Sequence, residues 1–294
     1  MRSNGDYWPR GYDCGEEGEV GLMDMLRAAL PWSGRGSGPI EAARLLDVPS
    51  GDNYRDLGGY PTPYGPTAYR RFVRAGSTSS LTRADLARLE EYGVSQVLDL
   101  RSRFEDPRLT DRFVREPEVS WLNVPLFDYD LSDPKLSGTP TPAGNYLIDG
   151  YVTMVSNRDA IRQIFEFCAQ TPPGRATLFH CAAGMDRTGM TAMLLLGLAE
   201  VPRKHIVADY LYSFAPVEEV DAVVFGGREP RVVPGSWNPL PSRRQAVEFM
   251  LDRVEEGYGT TRAYLEACGL SGVCLDTVRG MLVGSTDQDE APER

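Results

Sequence analysis

One stretch, ATLFHCAAGMDRTG at positions 176–189, constrains the fold more than any other part of the chain. It begins with a short, mostly apolar run typical of a buried strand, and the apolar residues at 190–199 indicate a buried helix. The loop between them starts at Cys181 and carries Arg187 six positions later. A strand, a tight loop and a helix N-terminus form an anion site, because backbone N–H groups converge there and the helix dipole adds positive potential. The pattern therefore predicts an α/β fold with an anion-binding loop.

The side chains of this loop are those that nucleophilic chemistry on a phosphate requires. A thiol at a helix N-terminus forms the reactive thiolate more readily, which makes Cys181 the candidate nucleophile. Arg187 offers a planar fork for two phosphate oxygens, and Thr188 can place its hydroxyl near the sulfur. A lone Cys after a strand is usually a buried hydrophobe, but an apolar core does not require two glycines and an Arg-Thr pair in one loop. The residues predicted to bind the phosphate are Ala182, Ala183, Gly184, Met185, Asp186 and Arg187.

Three motifs carry a resemblance to a known family. The loop HCxxGxDRTG at 180–189 resembles the signature loop of cysteine-based phosphatases, and its ending is similar to that of bacterial atypical tyrosine and phosphoinositide phosphatases. NYRDLGG at 53–59 resembles the N-terminal signature of that branch, and DLRS at 99–102 resembles its middle one. The resemblance implies one protein-tyrosine-phosphatase-like α/β domain, with a mainly parallel sheet of about four or five strands flanked by helices. It also implies hydrolysis of phosphate monoesters through a phosphocysteine intermediate, with no metal and no other cofactor.

The motifs divide the chain into a phosphatase domain and two flanking segments. We expect the domain to cover residues 46–284. Residues 1–45, rich in Gly, Pro, Trp and acidic side chains, are predicted to form an N-terminal extension that is loosely packed or partly disordered. Residues 285–294 are predicted to be a polar tail.

Composition restricts the partners of the chain. The net charge of −11 argues against nucleic-acid binding, because phosphate backbones require a basic surface. Five cysteines, with no Cys-x-x-Cys pair, and two histidines indicate neither a disulfide framework nor a zinc site. No signal peptide is apparent, and the apolar run at 190–199 is shorter than the roughly 20 residues that span a bilayer. We therefore expect a cytoplasmic protein with no integral membrane association. The resemblance to tyrosine phosphatases implies that its partner is a phosphotyrosine peptide or a small phosphate monoester.

Two parts of the chain contain candidates for the general acid. Asp186 lies inside the loop, and the resemblance implies that the branch can use this residue. Asp128 and Asp130 lie in an acidic segment, at a point of the fold where many cysteine phosphatases keep a mobile general acid. An acidic turn exposed to solvent is an equal interpretation of that segment. The sequence favours Asp186 but does not exclude its rivals.

Three further residues are candidates for the site. Arg101 could orient the loop or the substrate phosphate, and an ion pair with Asp99 or Glu105 is an equal alternative. Asp56 lies in a turn-rich segment and could be catalytic or structural. His180 directly precedes the nucleophile.

Local signals predict several elements. Thr82, in a capping-box pattern, predicts the start of a helix at 81–93, and Ser242 predicts the cap of a helix at 242–257. A long connection rich in Pro and Gly is expected at 215–241. Further helices are predicted at 159–170, 190–199, 261–267 and 275–282, and strands at 69–74, 94–100, 120–126 and 176–180.

The substrate is only partly specified by these residues. Many relatives have Lys where Met185 stands, so we expect a weaker preference for multiply phosphorylated lipids. A phosphatase dedicated to one metabolite, such as a nucleoside or sugar phosphate, is an alternative, and a phosphate-binding module without catalysis is a less favoured one. Thiol redox chemistry would need a resolving cysteine, and helical spacing instead predicts that Cys168 belongs to the core.

Overall fold

The structure is a computed structural model that describes residues 44–102, 105, 111–127, 146–230 and 240–284. The predicted extension up to residue 43, the acidic segment with Asp128 and Asp130, and the tail at 285–294 lie outside the described residues.

A five-stranded sheet lies at the centre of the described fold. Its strands are β1 (Arg55–Asp56), β4 (Phe72–Ala75), β5 (Val94–Asp99), β6 (Ser120–Asn123) and β7 (Ala176–His180). They are arranged in the order β1-β4-β7-β5-β6, with β1 antiparallel to β4 and every other pair parallel. The short strands β2 (Pro61–Thr62) and β3 (Gly65–Pro66) form a separate antiparallel pair. The mainly parallel sheet confirms the predicted α/β architecture.

The described residues also include nine α-helices. They are α1 (Arg83–Tyr92), α2 (Tyr146–Ser156), α3 (Arg158–Cys168), α4 (Asp186–Leu198), α5 (Arg203–Leu211), α6 (Val217–Val224), α7 (Leu240–Tyr258), α8 (Thr261–Ala267) and α9 (Gly272–Leu282). A 3₁₀ turn covers Arg112–Arg115. None of these helices is both long enough and apolar enough to cross a membrane.

The central strand β7 separates two hydrophobic cores. Successive side chains of a strand point to opposite faces of the sheet. Leu178 accordingly joins the smaller core, which includes Leu86 and Leu89 of α1. Phe179 joins the larger core, which includes side chains of α3 and α4. All five residues of β7 are buried, which explains why its sequence is an apolar run rather than an alternation.

Helix α1 begins and ends where its local signals predict. The hydroxyl oxygen of Thr82 accepts a hydrogen bond from the N–H of Asp85 at 3.2 Å, and the Asp85 carboxylate accepts one from the N–H of Thr82 at 2.9 Å. Gly93 ends the helix at a φ of 113°, which glycine adopts without steric cost.

Two expectations about the helices were wrong, and one helix was not predicted. Helix α7 already includes Leu240, so Ser242 lies within the helix and does not cap it. Helix α6 interrupts the expected connection at 215–241; its sequence buries Val220 and Val223, a signal that the surrounding prolines and glycines obscure. Helix α2 was not predicted, since Gly150 and β-branched residues give it a weak helical preference that tertiary packing overrides.

Candidate active site

The loop between β7 and α4 lies at the carboxyl end of the middle strand, where ligands bind in open α/β sheets. Cys181 is the first residue after β7, and its side chain is buried, while Ala182 and Ala183 are half-buried. The chain turns at Gly184, whose φ is +69° and where a Cβ would lie 2.6 Å from the carbonyl oxygen of Ala75. Only glycine fits this turn without strain.

The carbonyl groups of the loop are tied to the segments around β4. The N–H of Ser77 donates to the Ala182 carbonyl at 3.0 Å. The side-chain amide of Asn53 and the guanidinium of Arg74 both donate to the Gly184 carbonyl, at 2.7 and 2.8 Å. These bonds hold the carbonyl oxygens on one side of the loop.

The amide N–H groups of the loop consequently face the other side. In a trans peptide the N–H points opposite to the carbonyl of the preceding residue, and the described residues contain no cis peptide. The N–H groups of Ala183, Gly184 and Met185 have no acceptor among the described residues. Backbone donors are rarely left unpaired unless a ligand or water completes them. The arrangement is that of an anion-binding loop.

The surroundings of Cys181 favour its thiolate. Burial raises the pKa of the thiol, but the charge of Arg187 and hydrogen bonds from the hydroxyl and N–H of Thr188 outweigh burial, so the net pKa is lowered. By contrast, burial raises the pKa of Cys168 to about 12, and this thiol lies fully buried in the larger core. The two cysteines illustrate how the loop, rather than burial, controls reactivity.

Arg187 is held by Glu105, which the sequence offered only as one alternative partner of Arg101. Both terminal nitrogens of its guanidinium donate to Glu105, one of them at 2.9 Å to Oε1. Glu105 also accepts a hydrogen bond from the N–H of Ser102 at 2.6 Å. This bidentate pair orients the guanidinium plane beside the loop.

Asp186 is the first residue of α4, and two residues from distant helices bind its carboxylate. Its Oδ1 accepts hydrogen bonds from the hydroxyl of Tyr151 and from Arg243, the latter at 2.5 Å. The Tyr151 hydroxyl also contacts the hydroxyl of Tyr210, and the Arg243 guanidinium lies 4.5 Å from the ring centroid of Phe214. Sequence reasoning missed Tyr151 and Arg243, because neither stands in a motif or near the loop in sequence.

Comparison with known proteins identifies the family of the chain. A profile of the tyrosine phosphatase family matches residues 46–284. The chain belongs to the tyrosine phosphatase family. It is a phosphatase with tyrosine-phosphatase-like function, and it acts on phosphorylated substrates, as the sequence predicted.

Individual relatives within the family cover most of the chain. A tyrosine-protein phosphatase of Nostoc commune is 35% identical over 208 residues, which cover 68% of this chain and 70% of the relative. A putative tyrosine-protein phosphatase of Cupriavidus necator is 30% identical over 224 residues, 72% of this chain and 80% of the relative. The triple specificity protein phosphatase PtpB of Mycobacterium tuberculosis is 28% identical over 277 residues, 82% of this chain and 99% of the relative.

Arg101, a further candidate, forms an ion pair with Asp99. Its Nε lies 3.0 Å from Asp99 Oδ1 and its Nη2 lies 2.8 Å from Oδ2. These contacts correspond to the ion-pair alternative with Asp99. The amide of Asn123 donates to the Arg101 carbonyl at 3.0 Å, which ties this segment to β6.

Asp56 makes the contacts of a structural residue. Its buried carboxylate accepts hydrogen bonds from the N–H of Gly58 at 2.6 Å, the N–H of Arg70 at 2.9 Å and the hydroxyl of Tyr92 at 2.7 Å. Burial raises its pKa to about 6, against the opposing effect of these donors. The carboxylate thus joins the segment after β1 to the segment before β4 and to α1, and these three contacts do not involve the loop.

His180 directly precedes the nucleophile, is hydrogen-bonded to Asp111 and lies near Asp99. Its Nε2 lies 2.7 Å from Asp111 Oδ2 and 4.0 Å from Asp99 Oδ1, and its Nδ1 lies 3.2 Å from the Cys181 carbonyl. Burial lowers the pKa of His180, but the two carboxylates raise it above its usual value.

The ligand atoms of His180, Asp99 and Asp111 are close enough to form a metal site on distance alone. Protein donors, however, already occupy the Asp111 carboxylate: the Thr78 hydroxyl and the Trp121 indole N–H each donate to it at 2.8 Å. A cation would have to displace these bonds. The three residues therefore form a hydrogen-bonded cluster that supports the start of the loop.

Proposed function

We propose that the loop hydrolyses phosphate monoesters in two steps, with Cys181 as the nucleophile. The thiolate attacks phosphorus in line, the P–O bond to the leaving group breaks, and a phosphocysteine forms. Water then attacks phosphorus, the S–P bond breaks, and inorganic phosphate and the thiolate are released. The observation that carries the proposal is the lowered pKa of Cys181 beside a row of backbone N–H groups that have no acceptor within the described part of the chain.

The loop and Arg187 would stabilise the transferring group. Its transition state carries negative charge on three equatorial oxygens, and donors that already point at those oxygens lower the barrier. The N–H groups of Ala183, Gly184 and Met185 supply such donors, and the guanidinium of Arg187 supplies a charged fork oriented by Glu105. Thr188 would stabilise the sulfur anion as attacking and as leaving group.

We assign the role of general acid to Asp186. The hydroxyl of Tyr151 and the guanidinium of Arg243 position its carboxyl group at the start of α4, beside the loop. A protonated carboxyl there can donate to the leaving oxygen in the first step, and the carboxylate can accept a proton from the attacking water in the second. Asp128 and Asp130 remain the alternative.

Leaving-group dependence distinguishes these carboxyl groups. An enzyme that lacks its general acid slows steeply as the pKa of the leaving phenol rises, because the phenoxide leaves unprotonated. We expect Asp186→Asn to show this dependence in kcat across aryl phosphates, with Asp128→Asn and Asp130→Asn resembling the wild type. A steep dependence in either of the latter variants, with none beyond wild type in Asp186→Asn, would reverse the assignment.

We propose phosphotyrosine and small phosphate monoesters as the substrate class. The Met185 side chain is 3% exposed and belongs to the larger core, so it adds no cation for a second phosphate group. Multiply phosphorylated lipids are therefore expected to be poorer substrates.

We also propose that the protein acts in the cytoplasm. The free thiols of Cys168, Cys268 and Cys274 agree with a reducing compartment of this kind.

A substrate panel tests this proposal. Phosphoamino acids, nucleotides, sugar phosphates and phosphoinositides are compared with wild type and Cys181→Ser. We expect turnover that depends on Cys181 and is faster for phosphotyrosine than for phosphoinositides. A single strongly preferred nucleotide or sugar phosphate would favour a dedicated metabolic phosphatase, and p-nitrophenyl phosphate turnover that does not depend on Cys181 would refute the nucleophile.

A further inference from the structure

Two buried arginines share one carboxylate beneath the loop. Arg55 and Arg74 are 2% and 0% exposed, and Asp209, between them, is 1% exposed. Arg55 Nε lies 3.2 Å from Asp209 Oδ1, and Arg74 Nη1 donates to Asp209 Oδ2. The hydroxyl of Tyr60, also buried, donates to Asp209 Oδ1 at 2.9 Å. These contacts place two positive charges against one negative charge in the interior of the protein.

The contacts of Arg55, Arg74 and Asp209 leave an excess positive charge in the interior. A buried charge is costly unless it is paired and fully hydrogen-bonded. Arg74 Nε has no hydrogen-bond partner among the described residues. Burial and the neighbouring Arg74 lower the pKa of Arg55 to about 10, with Asp209 opposing them, so Arg55 stays charged at neutral pH. Such a cluster gains from an anion bound nearby.

The cluster reaches the loop through Asn53. The side-chain oxygen of Asn53 accepts a hydrogen bond from Arg55 Nη1, which orients its amide nitrogen toward the Gly184 carbonyl at 2.7 Å. Arg74 Nη2 donates to the same carbonyl at 2.8 Å. The hydroxyl of Ser213 accepts from Arg55 and Arg74 at 3.0 and 3.1 Å, which completes the connection.

The backbone of Asn53 supports a specific requirement for this side chain. Its φ is +63°, a left-handed conformation that Asn, Asp and Gly adopt more readily than other residues. We refer to Asn53, Arg55, Arg74 and Asp209 as the buried network.

We propose that the buried network positions the phosphate-binding loop and supplies a positive charge beneath the bound phosphate. By holding the Gly184 carbonyl outward, it keeps the N–H of Met185 turned toward the anion. If this peptide rotated, a bound phosphate oxygen would face the Gly184 carbonyl oxygen instead of the Met185 N–H. The inference rests on the proposed function of the loop and assigns to the network a positioning role, without contact with the substrate.

Asn53→Asp separates this proposal from a merely structural role. Aspartate has nearly the same shape and tolerates the same φ, and its carboxylate keeps the contact with Arg55 as an ion pair, so the fold should be kept. The new carboxylate would, however, neutralise the excess charge and repel the Gly184 carbonyl. Asn53→Gly, as a second variant, permits the same backbone conformation and removes the whole side chain with its hydrogen bonds. Thr82→Ala is the matched control, because it weakens α1 by loss of a cap without touching the network.

The measurements are calorimetric binding of inorganic phosphate, kcat/KM for p-nitrophenyl phosphate, the melting temperature and the pH dependence of Cys181 alkylation. We expect Asn53→Asp to stay folded, to bind phosphate at least about tenfold more weakly and to shift Cys181 alkylation to higher pH. Asn53→Gly should also bind phosphate more weakly, and Thr82→Ala should melt lower with unchanged phosphate affinity.

Phosphate affinity within about twofold of wild type in both Asn53 variants would overturn the inference. If Asn53→Asp does not fold, Asn53→Gly decides by the same criterion. Phosphate binding requires no turnover, so it is also measured in Cys181→Ser. Weakened binding in the Asn53 variants without turnover dependent on Cys181 in the wild type would refute the proposed function and leave the positioning role intact.

Discussion

The hydroxyl of Thr188 offers the sharpest test of how the loop activates its thiol. Thr188 is fully buried, and its hydroxyl and its N–H both lower the pKa of Cys181. Thr188→Val replaces the hydroxyl by a methyl group and keeps the β-branched shape. The substitution removes the effect of the hydroxyl on the sulfur and its 3.4 Å donation to the Ala75 carbonyl, while the N–H of Thr188 and the charge of Arg187 remain.

The size of the effect follows from the nature of the bond. A hydrogen bond to a charged group contributes about 1.5–3 kcal/mol, and one pKa unit corresponds to about 1.4 kcal/mol. The pKa of Cys181 should therefore rise by about one to two units in Thr188→Val. At a pH well below the thiol pKa, the thiolate fraction and kcat/KM should fall about 10- to 100-fold. The difference should shrink as the pH rises through the new pKa.

The rate of iodoacetamide alkylation of Cys181, followed against pH, measures the pKa directly. Thr188→Ser, which keeps the hydroxyl, should restore most of the wild-type profile. An alkylation profile of Thr188→Val that coincides with the wild type would refute the role of the hydroxyl and leave Arg187 and the backbone as the activating groups.

Three further predictions follow from single positions. Gly184→Ala should lower the melting temperature and abolish measurable phosphate binding, because φ is +69° and the new Cβ would lie 2.6 Å from the Ala75 carbonyl oxygen; retention of both properties would contradict the close approach. Asp56 binds its proton more tightly in the folded protein, where burial raises its pKa from 3.8 to about 6, so this carboxyl stabilises the fold below about pH 4 and loses that effect as the pH rises to about 6. The free energy of unfolding, measured with urea, should fall in the wild type relative to Asp56→Asn as the pH rises from about 4 to about 6. A difference between the two proteins that does not change with pH would argue against titration of Asp56. Met185→Lys should raise phosphoinositide turnover relative to phosphotyrosine turnover while lowering the melting temperature, since the side chain at 185 is buried; an unchanged ratio would remove this position from substrate selection.

Elements with local signals were predictable from the chain alone. The capping box at Thr82 and the glycine at Gly93 mark the ends of α1, and the apolar run before Cys181 marks β7. These signals act between residues a few positions apart, so no tertiary information is needed to interpret them.

Elements whose stability comes from packing were not predictable in the same way. Helix α2 contains Gly150 and β-branched residues, and it is stabilised by burial of side chains such as Tyr151 and Met154. Helix α6 is short and lies in a segment whose average composition indicates a loop. Ser242 has the chemistry of a cap, but the helix continues through it.

The candidate site also combines residues that were predictable from the sequence with partners that were not. The sequence by itself determined the chemistry of the loop, because the thiol, the guanidinium, the turning glycine and the helix start are all within ten residues. Only the tertiary structure decided what surrounds them: Glu105 pairs with Arg187, Arg243 binds Asp186, and Asn53 holds the Gly184 carbonyl. These partners are separated from the loop by 57 to 131 positions. A hydrogen bond or ion pair over that separation depends on how the sheet and helices pack, which no local pattern of residues encodes.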